Sequence, residues 1–244
     1  MSQRLDIHNS ELPVLCRACE ARHRGICGAL SPEQLIKLSR HTVKHVLSPE
    51  QAVPTSRPAS GSYSNILKGI VKLSKMTSDG RQQIVGLQFA PDFLGRPFGD
   101  QSETATEAVT EVKVCSFPKS LLKGLIEEAP DLEHRLYEQS LRELDEAREW
   151  MLTLGRKTAA EKVASFLYLV ATHADPETDL RPGKVTFEIQ LKRSDIADFL
   201  GLTIETVSRQ ITKLRQAKVI NLTDNRFVEV PDLDRLKAMA EVGT

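Results

Sequence analysis

The chain has 244 residues, of which 40% are hydrophobic and 27% are charged, as in a soluble globular protein with room for two ordinary domains. No apolar run approaches the ~18 residues that a membrane-spanning helix needs, so we expect no membrane partner. Because 33 Lys and Arg residues balance 33 Asp and Glu residues, the total charge indicates no class of partner, and any electrostatic argument must be local.

Near the N-terminus, residues 15–28 (LCRACEARHRGICG) contain three of the four cysteines, Cys16, Cys19 and Cys27. The preceding residues lack the basic start, apolar core and cleavage site of a secretory signal, so we expect a cytoplasmic protein with reduced thiols. Such cysteines indicate metal binding, redox chemistry or burial more than a disulfide framework. A C-x-x-C pair also lets two neighbouring sulfurs reach one metal centre.

Residues 31–41 (SPEQLIKLSRH) predict a short helix that starts at Ser31 and Pro32. Between about residues 41 and 117, short runs rich in β-branched residues alternate with Gly, Pro, Ser and Asp, and the sequence TSDGRQ marks a hairpin turn. Many short strands without intervening helices predict a small barrel or roll.

The last of these strands (TEVKVCS) contains the fourth cysteine, Cys115. Val112 and Val114 share one face of the strand, so we expect the Cys115 thiol to point away from the apolar interior, where an N-terminal loop could reach it. The residues alone leave three options open: an iron–sulfur cluster with four thiolates, a zinc site, or no metal. The zinc site would use a local set of ligands, namely Cys16, Cys19, His23 and Cys27.

Residues 131–154 contain no Gly or Pro and predict one long helix. Apolar or small side chains at spacings of three and four form one stripe along it, namely Leu136, Ser140, Leu144, Ala147, Met151 and Leu154. An adjacent stripe consists of Tyr137, Leu141 and Leu152. An ordinary core helix would need one stripe only. Two stripes favour a helix that packs on the roll with one side and on a second subunit with the other.

The C-terminal part reads as a small domain that begins near Gly155. Residues 156–174 predict a helix, residues 175–184 a polar loop, residues 184–191 a strand, and residues 219–230 two short strands around a Thr-Asp-Asn turn. Between the strands lie two short helices that separate at Gly201, where a left-handed backbone is easiest for glycine. Thr203 is placed to cap the second helix. This pattern is typical of a winged helix-turn-helix; the alternative is two amphipathic helices that merely pack together.

The outer face of the second helix indicates what it contacts. Glu205, Ser208 and Arg209 project together from its first turns, which are the part that enters a major groove. Arg can donate two hydrogen bonds to guanine, and Glu can accept one from cytosine. Residues 192–218 carry six basic and three acidic side chains, an excess of the sign that phosphate contact needs. The predicted DNA-binding residues are Thr203, Glu205, Thr206, Ser208, Arg209 and Lys213.

These features in this order, with the motif ETVSR at residues 205–209, resemble the CRP/FNR superfamily of bacterial transcription regulators over nearly the whole chain. The oxygen-sensing FNR branch, with its FnrL- and FnrN-like proteins, is the most similar. The resemblance implies an α+β fold with an N-terminal β-roll like that of cyclic-nucleotide-binding proteins. It divides the chain into a cysteine-rich cluster-binding segment (1–30), the β-roll sensor domain (31–130), a dimerisation helix (131–155) and a winged helix-turn-helix DNA-binding domain (156–244).

The resemblance further implies a [4Fe-4S] cluster held by Cys16, Cys19, Cys27 and Cys115. It implies a homodimer formed through the long helix, recognition of a TTGAT-N4-ATCAA-like palindrome in double-stranded DNA, and contact with RNA polymerase, for which the loop TSDGR is the candidate. Members that bind a cyclic nucleotide use a Gly-Glu pair and an Arg-Ser or Arg-Thr pair in the roll. Residues 91–109 offer neither pair; Arg96 is their only basic residue, and Glu103 and Glu107 would repel a phosphate. We therefore expect no cyclic nucleotide.

Three functions compete at this point. The first is an oxygen-responsive regulator: the N-terminal segment is short of apolar residues for docking, so its order, and through it the dimer, would depend on the metal. The second is a regulator of the same fold that responds to zinc, heme or thiol oxidation. The third is an enzyme that uses a cluster for electron transfer. We do not expect an enzyme, because the sequence contains no Gly-rich phosphate loop and no nucleophile elbow.

Overall fold

The computed structural model describes residues 12–17, 19, 21–53, 61–96, 104–174 and 184–241. The described residues form two compact units. The first contains those up to Lys75 together with Leu87–Leu144, and the second contains Met76–Gly86 together with those from Asp145 onward. No helix within these ranges is both long and apolar enough to cross a membrane.

The division between the units falls inside the long helix, about ten residues before the boundary that the sequence predicts near Gly155. The later part of this helix packs within the C-terminal unit, where the Trp150 and Phe199 rings lie 4.3 Å apart between centroids. An unbroken helical pattern hides such a division, because local sequence does not show which half of a helix packs on which unit.

Short helices come first among the described residues: α1 (Val14–Arg17), α2 (Ala21–Arg24), a 3-10 helix (Ile26–Ala29) and α3 (Pro32–Ser39). Helix α3 confirms the predicted start. The Ser31 hydroxyl accepts a hydrogen bond from the Gln34 backbone N–H, and the Gln34 side chain accepts one from the Ser31 N–H. This capping box satisfies two backbone donors that the first helical turn leaves free.

Short strands follow among the described residues, as the sequence predicts for this region: β1 (Val43–Leu47), β2 (Ser62–Lys68), β3 (Ile70–Met76), β4 (Gln82–Phe89), β5 (Phe93–Leu94), β6 (Ala105–Ala108) and β7 (Val112–Pro118). They form antiparallel sheets with strand orders β1-β7-β2-β5 and β4-β3-β6. Side chains of both sheets, such as Ile66 and Val71, meet in one apolar cluster. The strands therefore form a β-roll, and the predicted TSDG turn joins β3 to β4 through a hydrogen bond from the Thr77 N–H to the Arg81 carbonyl (2.9 Å).

Helices cover the other face of the four-stranded sheet. There Tyr63, Phe93 and Phe117 pack with residues of α3, of α4 (Lys119–Glu128) and of the start of α5 (Pro130–Arg156). Helix α5 confirms the predicted long helix, whereas α4 was not predicted. Because side chains alternate along a strand, Cys115 on β7 shares this helix-covered face with Phe117 and lies opposite the faces of Val112 and Val114, as expected.

The C-terminal unit continues with α6 (Ala159–Ala174), β8 (Val185–Glu188), α7 (Arg193–Leu200), α8 (Ile204–Gln216), β9 (Asn221–Thr223), β10 (Phe227–Val230) and α9 (Leu233–Ala240). Strands β8, β10 and β9 form a small antiparallel sheet beside the two central helices. This arrangement confirms the predicted winged helix-turn-helix. Helix α9 was not predicted, and most of the predicted polar loop, residues 175–183, lies outside the described residues.

Candidate thiol cluster and nucleic-acid interface

Four free thiols come together at the helix-covered face of the roll: Cys16 in α1, Cys19 after it, Cys27 in the 3-10 helix and Cys115 in β7. The pKa of the Cys27 thiol is raised, and burial is the largest cause. Negative charge on Cys115, Cys16 or Cys19 would raise this pKa further. Electrostatic coupling of this kind needs proximity. The structure thus brings the early cysteine group to the thiol of a strand that is distant in sequence.

The surroundings of the Cys16, Cys27 and Cys115 thiols favour the protonated form in the absence of a metal. Burial, followed by the neighbouring thiols, raises the pKa of Cys115 to about 12, although the Lys44 ammonium and the Thr42 hydroxyl oppose the shift. Burial also raises the pKa of Cys16. A bound metal centre reverses this preference, because its positive charge deprotonates a coordinating thiol. Four partly buried, unbridged thiols are therefore a donor set that suits a soft metal centre.

The peptide around Cys27 fits tightly because it is flanked by glycines. A Cβ on Gly25 would lie 2.9 Å from the Ala21 carbonyl oxygen and 3.0 Å from that of Pro91. A Cβ on Gly28 would lie 3.1 Å from the guanidinium of Arg135, which donates a hydrogen bond to the Gly25 carbonyl (3.1 Å). Helix α5 therefore contacts the same short loop that carries Cys27.

Apolar contacts contribute more to the docking of the N-terminal segment than the sequence suggested. Leu12, Ile26 and Leu30 are 4%, 2% and 8% exposed, and they belong to the same buried cluster as Phe117. The expectation that this segment is short of apolar docking residues was wrong. Few side chains suffice here because each buried Leu or Ile contributes about 1.5–3 kcal/mol.

The zinc alternative receives no support from the position of His23. The His23 Nε2 and an Arg22 guanidinium nitrogen lie 2.8 Å apart in a hydrogen bond, so this ring nitrogen is already engaged by a neighbouring side chain. In the described residues, no group of three or more His, Cys, Asp or Glu side chains is arranged to hold a metal ion. The four thiols therefore lie near one another but do not adopt the coordination geometry of a single metal ion.

The predicted dimerisation stripe on α5 is exposed over most of its length. Leu144 and Met151 are 44% and 73% exposed, Ser140 and Ala147 are exposed, and Leu154 is half-buried. The prediction that Leu136 belongs to the dimerisation stripe was wrong, because this side chain is 2% exposed and packs in the core of its own chain. The adjacent stripe of Tyr137, Leu141 and Leu152 is also exposed. Within the described residues, α5 thus presents apolar side chains that its own chain does not cover.

The two helices of the helix-turn-helix are built as the sequence predicts. Gly201 ends α7 in a left-handed conformation (φ 59°, ψ 45°), and the Thr203 hydroxyl caps α8 by accepting a hydrogen bond from the Thr206 N–H (3.2 Å). Val207, Ile211 and Leu214 bury the inner face of α8. At the other end, the Arg235 guanidinium donates to the carbonyls of Ala217 and Lys218, which fixes the C-terminus of α8.

The outer face of α8 carries five of the six predicted DNA-binding residues, and the sixth, Thr203, is its N-cap. Glu205, Ser208, Arg209 and Lys213 are exposed, and Thr206 is partly so. Hydrogen bonds from its own backbone N–H and from the Thr203 hydroxyl lower the pKa of Glu205, so this side chain is an anionic acceptor at neutral pH. An Arg209 guanidinium nitrogen donates to the Thr206 hydroxyl (3.3 Å), which restrains the arginine on the helix surface.

One acidic residue of the roll is not available to repel a cyclic nucleotide. Glu107 was expected to repel a phosphate, but its carboxylate pairs with the buried Lys72 ammonium at 2.9 Å, so its charge is compensated. Arg96 uses its backbone carbonyl to accept a hydrogen bond from the Tyr63 hydroxyl (2.9 Å). Glu103 lies outside the described residues. The expectation that no cyclic nucleotide binds now depends on the two missing residue pairs and not on Glu107.

Two side chains near the thiols were missed by sequence reasoning. Asn65 donates from Nδ2 to the Cys27 Sγ (3.3 Å), and Arg135 holds the Gly25 carbonyl. Each is 38 or more positions from its partner along the chain. The sequence offered only weak signals for them. Asn65 is a polar residue in the apolar run NILKGIV, and Arg135 lies beside a predicted apolar stripe, but neither position identifies a partner.

Comparison with known proteins agrees with this architecture. Residues 161–239 match the family model of the Crp-like helix-turn-helix domain. Over 240 residues, covering 96% of this chain and 99% of the relative, the chain is 51% identical to a probable transcriptional activator of Rhizobium leguminosarum bv. viciae. It is 38% identical over 231 residues to the transcriptional activator protein FnrL of Cereibacter sphaeroides, with 93% of each chain covered.

Among solved structures, FixK2 from Bradyrhizobium japonicum superposes with a TM-score of 0.72 at 27% identity and covers 83% of this chain and 99% of its own. A CooA mutant from Carboxydothermus hydrogenoformans has the same fold, with a TM-score of 0.64 at 17% identity over 83% of this chain and 89% of its own. The winged helix-turn-helix, the β-roll, the long helix and these full-length relatives lead to one conclusion: the chain belongs to the CRP/FNR family of transcription regulators.

Proposed function

We propose that this protein is an oxygen-responsive transcription activator that dimerises when Cys16, Cys19, Cys27 and Cys115 hold a [4Fe-4S] cluster. The homodimer binds a TTGAT-N4-ATCAA-like palindrome in double-stranded DNA and acts on RNA polymerase. It needs no cyclic nucleotide and catalyses no reaction. The names of the relatives, FnrL and the Rhizobium activator among them, support the role of activator.

The observation that carries the proposal is the convergence of four unbridged thiols from separate chain segments. Cluster ligation requires four cysteines, and this chain has four, all of them in one group. The roll also supplies a hydrogen-bond donor to one of them, from Asn65 Nδ2 to Cys27 Sγ. When bound, the cluster would supply the oxygen-labile chemistry that the resemblance to the FNR branch implies.

The chain's own residues then connect the thiols to the dimer. Cys27 lies between Gly25 and Gly28; a Cβ on Gly28 would approach the Arg135 guanidinium, and Arg135 on α5 donates a hydrogen bond to the Gly25 carbonyl. A change in the position of Cys27 therefore acts directly on the helix that presents Leu144 and Met151. Because Leu12, Ile26 and Leu30 anchor the segment independently of the thiols, the response is a local movement of this loop and not release of the whole segment.

The experiment is to purify the chain without air and to record its visible spectrum and its iron, sulfide and zinc contents. We expect a brown protein with about four irons per chain, whose colour and affinity for a TTGAT-N4-ATCAA duplex both decline in air. Cys115→Ser should abolish iron uptake. The matched control is Lys113→Ser, which changes an exposed residue on the same face of β7 and should leave uptake unchanged.

The alternatives give different results in the same experiment. A colourless protein with one zinc per chain would replace the cluster by a zinc site, and a heme spectrum would indicate a heme input. Air-dependent loss of free thiols without iron would indicate a thiol switch. Each of these outcomes contradicts the proposal.

A further inference from the structure

Asn65 occupies a position in β2 where a polar side chain is unexpected. The residue is 5% exposed, and asparagine is depleted in strands. In the antiparallel pairing of β2 with β7, Asn65 lies directly opposite Cys115. Its Nδ2 donates a hydrogen bond to the Cys27 Sγ (3.3 Å). One side chain of the rigid sheet therefore contacts a thiol from the N-terminal segment and lies beside the thiol that the sheet itself contributes.

The other end of this amide lacks a partner. The Asn65 Oδ1 is buried and accepts no hydrogen bond in the structure, so the side chain bears a desolvation penalty that an apolar residue would avoid. The neighbouring polar residues of the same strand pair solve this problem: Ser64 and Ser116 hydrogen-bond each other at 2.6 Å on the opposite face. Fold stability alone therefore does not explain Asn65.

We propose that Asn65 is the positioning residue of the cluster site, which fixes the Cys27 thiolate beside Cys115. This inference rests on the proposed function and assigns a specific residue to it. A thiol sulfur is a weak acceptor, whereas a thiolate receives a charge-assisted bond about twice as strong as a neutral one. The contact with Asn65 is therefore strongest when Cys27 acts as a ligand.

The geometry explains why Cys27 needs this support. Within the described residues, the hydrogen bond from Asn65 is the polar contact between the sheet and the Cys27 sulfur, whereas Cys115 is held by the ladder of β7 between β1 and β2. Hydrogen bonds to ligand sulfurs adjust the stability and potential of such centres, and loss of a partner to a metal ligand typically costs ~10–100-fold in metal affinity. We expect an effect of this size from removing the Asn65 donor.

The test compares Asn65→Leu, which keeps the volume and removes the donor, with Asn65→Ser, which keeps a shorter donor. The matched control is Ser64→Ala, which removes a buried hydrogen bond on the opposite face of the same strand. Each full-length chain is loaded without air, and the rate at which an iron chelator removes the iron is measured under nitrogen. In the metal-free chains, the rates at which iodoacetamide alkylates Cys27 and Cys115 are compared by peptide mass mapping.

For Asn65→Leu we expect iron release ~10–100-fold faster than in the wild type, a changed Cys27 alkylation rate and an unaltered or higher thermal midpoint. Asn65→Ser should recover part of the loss, and Ser64→Ala should release iron at the wild-type rate. If Asn65→Leu does not fold, Asn65→Ala serves in the same comparison with Asn65→Ser.

Two results would overturn this role. The first is a rate of iron release from Asn65→Leu that lies within twofold of the wild-type rate. The second is a rate of iron release from Ser64→Ala that is raised as much as that from Asn65→Leu. Both leave the proposed function intact, because the wild-type chain still holds iron. A wild-type chain that takes up no iron would instead contradict the proposed function, and the role of Asn65 would fall with it.

Discussion

Three neighbouring side chains on the DNA-facing surface of α8, those of Thr203, Thr206 and Arg209, are linked by hydrogen bonds. The Thr203 hydroxyl oxygen caps the helix by accepting from the Thr206 N–H, and the Thr206 hydroxyl, 3.1 Å from it, accepts a hydrogen bond from Arg209. An arginine that is already restrained loses less side-chain entropy when it binds a base. The same threonine that begins the helix thus contributes to the placement of the residue with the best chemistry for reading guanine.

Arg209→Ala should weaken binding to the TTGAT-N4-ATCAA duplex and reduce discrimination against duplexes with a substituted base. A bidentate contact with guanine contributes about 1–3 kcal/mol of discrimination, and a dimer makes it once in each half-site. The measurement is a gel shift at fixed salt with both kinds of duplex. Arg215→Ala removes the same charge from the last turn of α8 and should weaken both duplexes equally; equal behaviour of the two variants would contradict base reading by Arg209.

Sequence reasoning reached side chains whose partners are local and missed those whose partners are distant. The Thr203 cap and the left-handed Gly201 follow from residues within one helical turn. Asn65 and Arg135 act on atoms 38 and 110 positions away, and no periodicity contains that information. The four cysteines were found because their residue type is rare in this chain and their chemistry is specific, not because their contacts could be predicted.

Among the elements, α5 has two different neighbours along its length. In its first turns, Leu132 and Leu136 are buried in the apolar cluster on the helix-covered face of the four-stranded sheet, and its later turns expose apolar side chains. Leu136 was assigned to the dimer stripe because a 3.6-residue period gives the face of a side chain and not the identity of what covers it. Helices α4 and α9 were missed although Leu122 and Leu125, or Leu233 and Leu236, have helical spacing, since runs of eight to ten residues give a weak periodic signal.

Arg135→Met should weaken the dimer of the cluster-loaded chain several-fold and leave the metal-free chain unchanged. The substitution keeps an apolar stem but removes the guanidinium that holds the Gly25 carbonyl, so α5 no longer responds to the Cys27 loop. A charge-assisted hydrogen bond to a carbonyl is worth about 1.5–3 kcal/mol, which sets the upper limit of the effect. Sedimentation equilibrium of loaded and metal-free samples measures it.

The control for this helix is Arg142→Met, which removes the same charge at an exposed position of α5. Its dimer should resemble the wild type in both states. If Arg135→Met weakened the loaded and metal-free chains equally, Arg135 would contribute to the dimer itself and not to its coupling with the thiols.

For the molecule as a whole, α5 contributes residues both to the unit that holds the thiols and to the unit that holds the helix-turn-helix. A helix-turn-helix alone makes contacts to one half-site, and single modules bury limited DNA surface. In the proposed function, dimerisation through α5 would therefore multiply affinity by adding the second half-site. Since the chain carries no net charge at neutral pH, specific contacts must supply a larger share of the binding free energy than in strongly basic DNA-binding proteins.

Met151→Lys should convert the loaded protein to a monomer and abolish the gel shift of the palindrome. Met151 is 73% exposed in the single chain, and a twofold interface contains each residue twice. Replacing two buried methionines by ammonium groups costs at least about 3 kcal/mol, or more than ~100-fold in the dimer dissociation constant. Glu149→Lys introduces the same side chain beside the stripe and should leave the dimer intact. A dimeric, DNA-binding Met151→Lys would show that another surface joins the subunits, and the exposed residues of the adjacent stripe, Tyr137, Leu141 and Leu152, would then be the ones to substitute.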